Sequence, residues 1–113
     1  MQESFLDKLK NILICYSTRN TSIGYCQGMN CSVVRLLLIM DNEEQTFWLF
    51  NQIIESMLPL VYYSELIGII VETSLIDILI SIYMPEFHKF LLKNNFHVPL
   101  KNFIHNWMVS LFT

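Results

Sequence analysis

One apolar run, LIGIIVETSLIDILISIYM at residues 66–84, constrains the fold more than any other segment of the chain. It is long enough to cross a bilayer as a helix. Two acids, Glu72 and Asp77, sit inside it. Each would cost roughly 2.5–3.5 kcal/mol near a membrane centre, which about offsets the gain from the aliphatic residues. A buried segment of a soluble helical domain is the better reading, with no integral membrane segment; a membrane-embedded helical protein is the competing one. The polar residues also point to two helices rather than one. Glu65, Gly68 and Glu72 share one polar line, and Thr73, Asp77 and Ser81 share another on a separate side of the helical wheel. Ser74 and Asp77 have the S-x-x-D spacing of a cap. A break near Thr73 and Ser74 is expected.

The other segments repeat the helical period. Phe5, Leu6, Leu9, Ile12, Leu13 and Tyr16 fall on one helix face, with Asp7, Lys8, Lys10 and Asn11 on the other. STRNTSIG should end that helix, because Ser, Thr and Asn compete for local hydrogen bonds. A second apolar stretch runs from near Gly24 to Met40. Asn42 and Gln45 then have the spacing of a capping box. Glu43 and Glu44 occupy a first turn, where the helix dipole favours negative charge. A third helix is expected from Glu43 to Met57, stopped by Pro59. Pro85 suits a first helical position. NNFHVP reads as a loop, and a further amphipathic helix starts at Lys101. The fold class is all-α, a bundle of six or seven short helices in one domain.

Composition narrows the function. Hydrophobic residues make up 53% of the 113 residues and charged residues 15%, against a usual charged share of about 25%. A surface this short of charge implies an exposed interface. The net charge is −3 and no basic patch exists, which excludes a nucleic-acid partner and disfavours an anionic membrane surface. The N-terminal MQESFLDKLKN is amphipathic and mixed in charge, unlike a signal peptide. Cys15, Cys26 and Cys31 form no CxxC pair and have no His at ligand spacing, so they read as reduced, partly buried thiols. His88, His97 and His105 form no metal-binding motif and read as ordinary histidines; neither a metal nor a cofactor is expected. Trp48 and Trp107 read as core or interface aromatics. No Gly-rich phosphate loop is present.

The remaining chemistry lies in IGYCQGMN, residues 23–30. Cys26 has no base placed beside it by the sequence. Gln27 carries two donors and an acceptor without charge, so it can orient a water or a backbone amide but cannot act as a general base. Gly24 and Gly28 let a neighbouring surface approach closely. On the residues alone, a structural turn is the commoner role for such a glutamine.

The stretch RNTSIGYCQGMN, followed by an aliphatic run and by DNEEQTFWLFNQIIESMLPLVYYSELIG, resembles the TBC domain of Rab GTPase-activating proteins. LIGIIVETSLIDIL, YMPEFHKFL and WMVSLF extend the resemblance over most of residues 5–113. It implies an all-α fold and an activator of GTP hydrolysis by Rab proteins that is not itself a hydrolase. Two residues act in trans in that family: an arginine finger from IxxDxxR and a glutamine finger from YxQ. Tyr25-Cys26-Gln27 matches YxQ, which makes Gln27 the catalytic glutamine. Tyr25, Gly24, Gly28 and Asn30 are then GTPase-binding or turn-forming residues. The implied partner is a Rab-family GTPase in its GTP-bound state. The implied setting is vesicle trafficking, in the cytoplasm and at endomembranes through that partner. IxxDxxR is absent from the 113 residues; Arg19 and Arg35 occupy other positions and do not inherit its role. RxxxWxxL is missing too, and the family's final helices are not reached. The resemblance therefore covers a central part of the domain, expected to be a weak or inactive activator by itself. The alternative is a non-catalytic GTPase-binding or scaffold module.

Overall fold

A computed structural model describes residues 4–113; Met1 to Glu3 of the N-terminal segment lie outside the described residues. Six α-helices follow one another: α1 (Phe5–Arg19), α2 (Met29–Met40), α3 (Glu43–Gln52), α4 (Ile67–Tyr83), α5 (Pro85–Lys93) and α6 (His97–Val109). A π-helical turn, Ile53–Met57, extends α3, and a 3-10 turn, Ser64–Leu66, leads into α4. No strand occurs among the described residues. The all-α expectation is met.

Local chemistry explains most boundaries. Ser4 caps α1 with a reciprocal box: its Oγ accepts from the Asp7 amide at 3.2 Å, and Asp7 Oδ2 accepts from the Ser4 amide at 3.2 Å. The helix runs through Ser17 and Thr18 to Arg19, past the expected break. Both hydroxyls donate to helix carbonyls one turn back, Ser17 to Ile14 and Thr18 to Ile14 and Cys15. Helix α2 starts at Met29 rather than near Gly24, because Gly24 (φ 64°) and Gly28 (φ 108°) hold the intervening loop out of the helical region. Asn42 Oδ1 accepts from the Gln45 amide at 2.9 Å at the start of α3. Asn42→Ala is expected to cost about 1 kcal/mol, read as a lower urea midpoint with unchanged slope. Pro85 occupies the first turn of α5 as expected. Helix α6 begins at His97, four residues before Lys101. Pro99 falls in its first turn, where an amide donor has no partner to lose.

The largest departure concerns residues 64–84. Helix α4 passes unbroken through Thr73 and Ser74. Thr73 Oγ1 donates to the Ile69 carbonyl at 2.7 Å and Ser74 Oγ to the Ile70 carbonyl at 2.9 Å. These hydroxyls are satisfied inside the helix and do not cap a new one. Asp77, the centre of the second polar line, pairs with His97 and Lys101 of α6. The two polar lines therefore need not both face water. The segment Ser64–Tyr83 has mean hydropathy 2.0 and is long and apolar enough to cross a membrane, with only 11% of its most apolar stretch buried. The expectation of a buried segment is corrected accordingly: Ile70, Val71, Leu75, Ile78 and Ile82 are all exposed.

The six helices form two groups. Helices α1, α2 and α3 pack against one another, and α4 packs against α5 and α6. Tyr16 and Phe50 meet edge to face at 5.1 Å in the first group, over buried Ile12, Val33 and Leu37. The groups join where the end of α6 meets the start of α2. There Ser32 Oγ donates to the Ser110 carbonyl at 2.9 Å. Tyr62 and Tyr63 donate to the Met108 and Val109 carbonyls at 3.0 and 2.7 Å. The radius of gyration is 17.0 Å, with extents of 57 × 26 × 18 Å. A compact chain of this length has a radius near 13 Å, so the body is elongated and large apolar side chains remain on its surface.

Candidate functional site

Gln27 lies at the seam between the two groups, in a tight turn that opens α2. The Met29 amide donates to the Cys26 carbonyl at 3.1 Å, which closes the turn around Gln27 and Gly28. Gly28 has the positive φ that the third residue of such a turn requires. Its missing side chain matters for a second reason. A Cβ there would lie 2.7 Å from Val109 Cγ1 and 3.2 Å from the Val109 carbonyl carbon. The close approach that Gly28 permits is to α6 of this same chain. Asn30 Oδ1 accepts from the Gly28 amide at 3.2 Å and holds the turn from the helix side.

The other end of the loop is pinned as well. The Gly24 amide donates to the Asn20 carbonyl at 2.7 Å. Asn20 Oδ1 accepts from Ser22 Oγ and the Ile23 amide, while its Nδ2 donates to Glu55 Oε1 at 3.0 Å. Gly24 has open space where a Cβ would stand, so its requirement is conformational. Arg19 pairs with Glu55 Oε2 at 3.3 Å and lies over the Trp48 ring at 5.3 Å from its centroid. That engagement makes Arg19 part of the loop's support.

Between the loop and α6 lies a cleft of about 1180 Å³. Tyr25, Gln27, Gly28 and Asn30 line one side; Glu65 comes from the 3-10 turn, and His105, Asn106 and Trp107 from α6. Gln27 is exposed, and its amide makes no hydrogen bond among the described residues. Tyr25 is 54% exposed. No arginine lines the cleft among the described residues. The structure thus brings Gly24, Tyr25, Gln27, Gly28 and Asn30 into one pinned loop, and adds an α6 wall that the sequence pattern did not reveal.

Burial tunes two groups beside the loop. Burial, then the neighbouring Tyr62, Cys26 and Tyr16, push the Tyr63 phenol well above its ordinary range. It remains a protonated donor to Val109. Burial also raises the Cys26 thiol, which keeps it out of the thiolate form that a nucleophile needs. Cys15 and Cys31 are exposed, so the expectation of partly buried thiols holds for Cys26 and not for them. Trp48 and Trp107 are both about half exposed.

Gln27 thus presents an exposed, uncharged side-chain amide on a pinned loop beside an open cleft. The sequence profile of the Rab-GTPase-TBC domain family matches residues 1–113. TBC1 domain family member 2A of Rattus norvegicus is 36% identical over 110 residues, covering 96% of this chain and 12% of that protein. GTPase-activating protein gyp2 of Schizosaccharomyces pombe is 32% identical over 108 residues, covering 95% of this chain and 14% of that protein. Growth hormone-regulated TBC protein 1 of Homo sapiens is 35% identical over 77 residues, covering 68% and 23%. No solved structure matches the chain. The chain belongs to the Rab-GTPase-TBC domain family, and it spans only a small part of the length of these relatives.

Proposed function

We propose that the chain is the central part of a GTPase-activating domain that acts on a Rab-type small GTPase in its GTP-bound state. Gln27 is the residue supplied in trans. The observation that carries this reading is the exposed Gln27 amide on a loop pinned at both ends, in a chain whose family is the Rab-GTPase-TBC domain. Phosphoryl transfer to water needs a positioned nucleophile and neutralised charge, and no covalent chemistry from the activator. An exposed amide on a pinned loop can supply the first. Tyr25 contacts the GTPase, while Gly24, Gly28 and Asn30 set the loop's shape at that surface. Charge neutralisation needs an arginine, and none of the 113 residues lies in IxxDxxR. An arginine finger is worth about 10³–10⁵ in rate, so these residues alone are a weak activator.

Helix α4 acts in this reading as a packing helix of a cytoplasmic protein that reaches endomembranes through its partner. The pairing of Asp77 with α6 supports that role over a membrane span. A second reading, a GTPase-binding module without catalytic effect, is favoured by the absence of arginine from the cleft lining among the described residues.

Affinity measured across a panel of Rab-type GTPases tests the partner class. Preference for the GTP-analogue-loaded form of at least one member is expected. Equal or absent binding to GTP-analogue and GDP forms throughout the panel would overturn it.

A further inference from the structure

Helices α4, α5 and α6 converge on one carboxylate, away from the Gln27 cleft. His97 Nε2 lies 2.8 Å from Asp77 Oδ1, and His88 Nε2 lies 3.9 Å from the same oxygen. One ligand atom from each of the three residues lies within 4.8 Å of the others. The two imidazoles meet edge to face with centroids 5.8 Å apart. Their side chains are 23–25% exposed and that of Asp77 is 21% exposed, so the corner is largely enclosed but open to solvent. Lys101 Nζ sits 3.3 Å from the other carboxylate oxygen, Asp77 Oδ2. None of these four residues lines the cleft beside Gln27.

We propose that Asp77, His88 and His97 form a binding site for one divalent transition-metal ion of the zinc class. Zinc bonds imidazole nitrogen and carboxylate oxygen at about 2.0–2.2 Å in tetrahedral geometry, which sets ligand atoms roughly 3.3 Å apart. The observed 2.8 and 3.9 Å bracket that separation, and all three ligand atoms lie within 4.8 Å of one another, so side-chain adjustments of at most about 1.5 Å bring the donors around an ion. Two nitrogens and one oxygen suit zinc, cobalt or nickel, whereas calcium and magnesium take oxygen ligands. Three protein ligands leave a fourth position for water. The ligands come from three helices, so the ion ties α4, α5 and α6 at one point. The site is a structural staple, separate from the GTPase surface. Lys101 is its built-in competitor, because its ammonium already neutralises the carboxylate that the ion must share.

Cobalt(II) absorption and zinc competition on the 113-residue chain test the site directly. One ion per chain is expected, with the intense visible bands of tetrahedral cobalt. His88→Ala and His97→Ala should each weaken binding by at least about tenfold, while His105→Ala should leave it unchanged. Lys101→Met removes the competing charge and should tighten binding by about tenfold. Zinc should raise the unfolding temperature of the wild type and not of His97→Ala. Binding equal in the wild type, His88→Ala and His97→Ala would overturn the site, as would no binding by the wild type. If the histidine variants fail to fold, Lys101→Met decides: tighter binding supports the site, and unchanged or weaker binding overturns it.

Discussion

Gly68→Ala is expected to destabilise the chain by about 2–3 kcal/mol, although alanine is the better helix former by about 1 kcal/mol. Gly68 lies in the first turn of α4, where its amide donates to the Val61 carbonyl at 3.1 Å. A Cβ at this position would stand 2.5 Å from Tyr62 Cα and 3.1 Å from the Tyr62 nitrogen. Those are backbone atoms, and a rotamer change does not relieve the clash. Helix α4 would have to lift off the Tyr62-Tyr63 segment. The Tyr62 and Tyr63 hydroxyls hold the end of α6, which also packs on Gly28. The strain therefore spreads to the seam beside Gln27. Urea unfolding followed by helical circular dichroism reads the loss. A Gly68→Ala chain as stable as the wild type would mean that α4 does not pack this closely on Tyr62.

Gln27→Ala is expected to return GTP hydrolysis by the partner to its intrinsic rate while leaving the fold intact. Gln27 is exposed, and its amide makes no hydrogen bond within the described chain, so stability should change by less than about 0.5 kcal/mol. The loop keeps its shape through the bonds of Gly24, Asn20 and Asn30 and the turn closed at Met29. Losing one positioned hydrogen-bonding group from a reaction centre costs about 10² in rate. Gln27→Glu should fail as well, because a carboxylate has no donor to offer. Affinity for the GTP-bound partner should fall far less than the rate, which separates a catalytic role from a contact role.

Much of this architecture was legible in the residues. The period of Phe5 to Tyr16, the cap at Asn42 and Pro85 at a first turn located three of the six helices, because each is local chemistry. The misplaced boundaries share a cause. Ser17, Thr18, Thr73 and Ser74 were expected to break helices, yet each hydroxyl returns to a carbonyl of its own helix. Whether a hydroxyl caps or folds back depends on packing that a pattern does not contain. Asp77 was counted as a residue needing water, and its nearest partners lie 20 and 24 positions away on α6. Of the candidate site, the loop was visible in YxQ and its glycines. Its α6 wall was not, because His105 and Trp107 line the cleft with Gln27 through a packing of α6 on the loop, Gly28 against Val109, between residues far apart in sequence.

Single-turnover GTP hydrolysis by the Rab-type GTPase that binds best, with saturating wild-type chain or Gln27→Ala, tests the role of Gln27 most directly. The expected result is an acceleration of at most about 10²-fold by the wild type, and the intrinsic rate with Gln27→Ala. Acceleration of equal size by both chains, or tight binding by the wild type with no acceleration, would contradict the assignment of Gln27 as the residue supplied in trans.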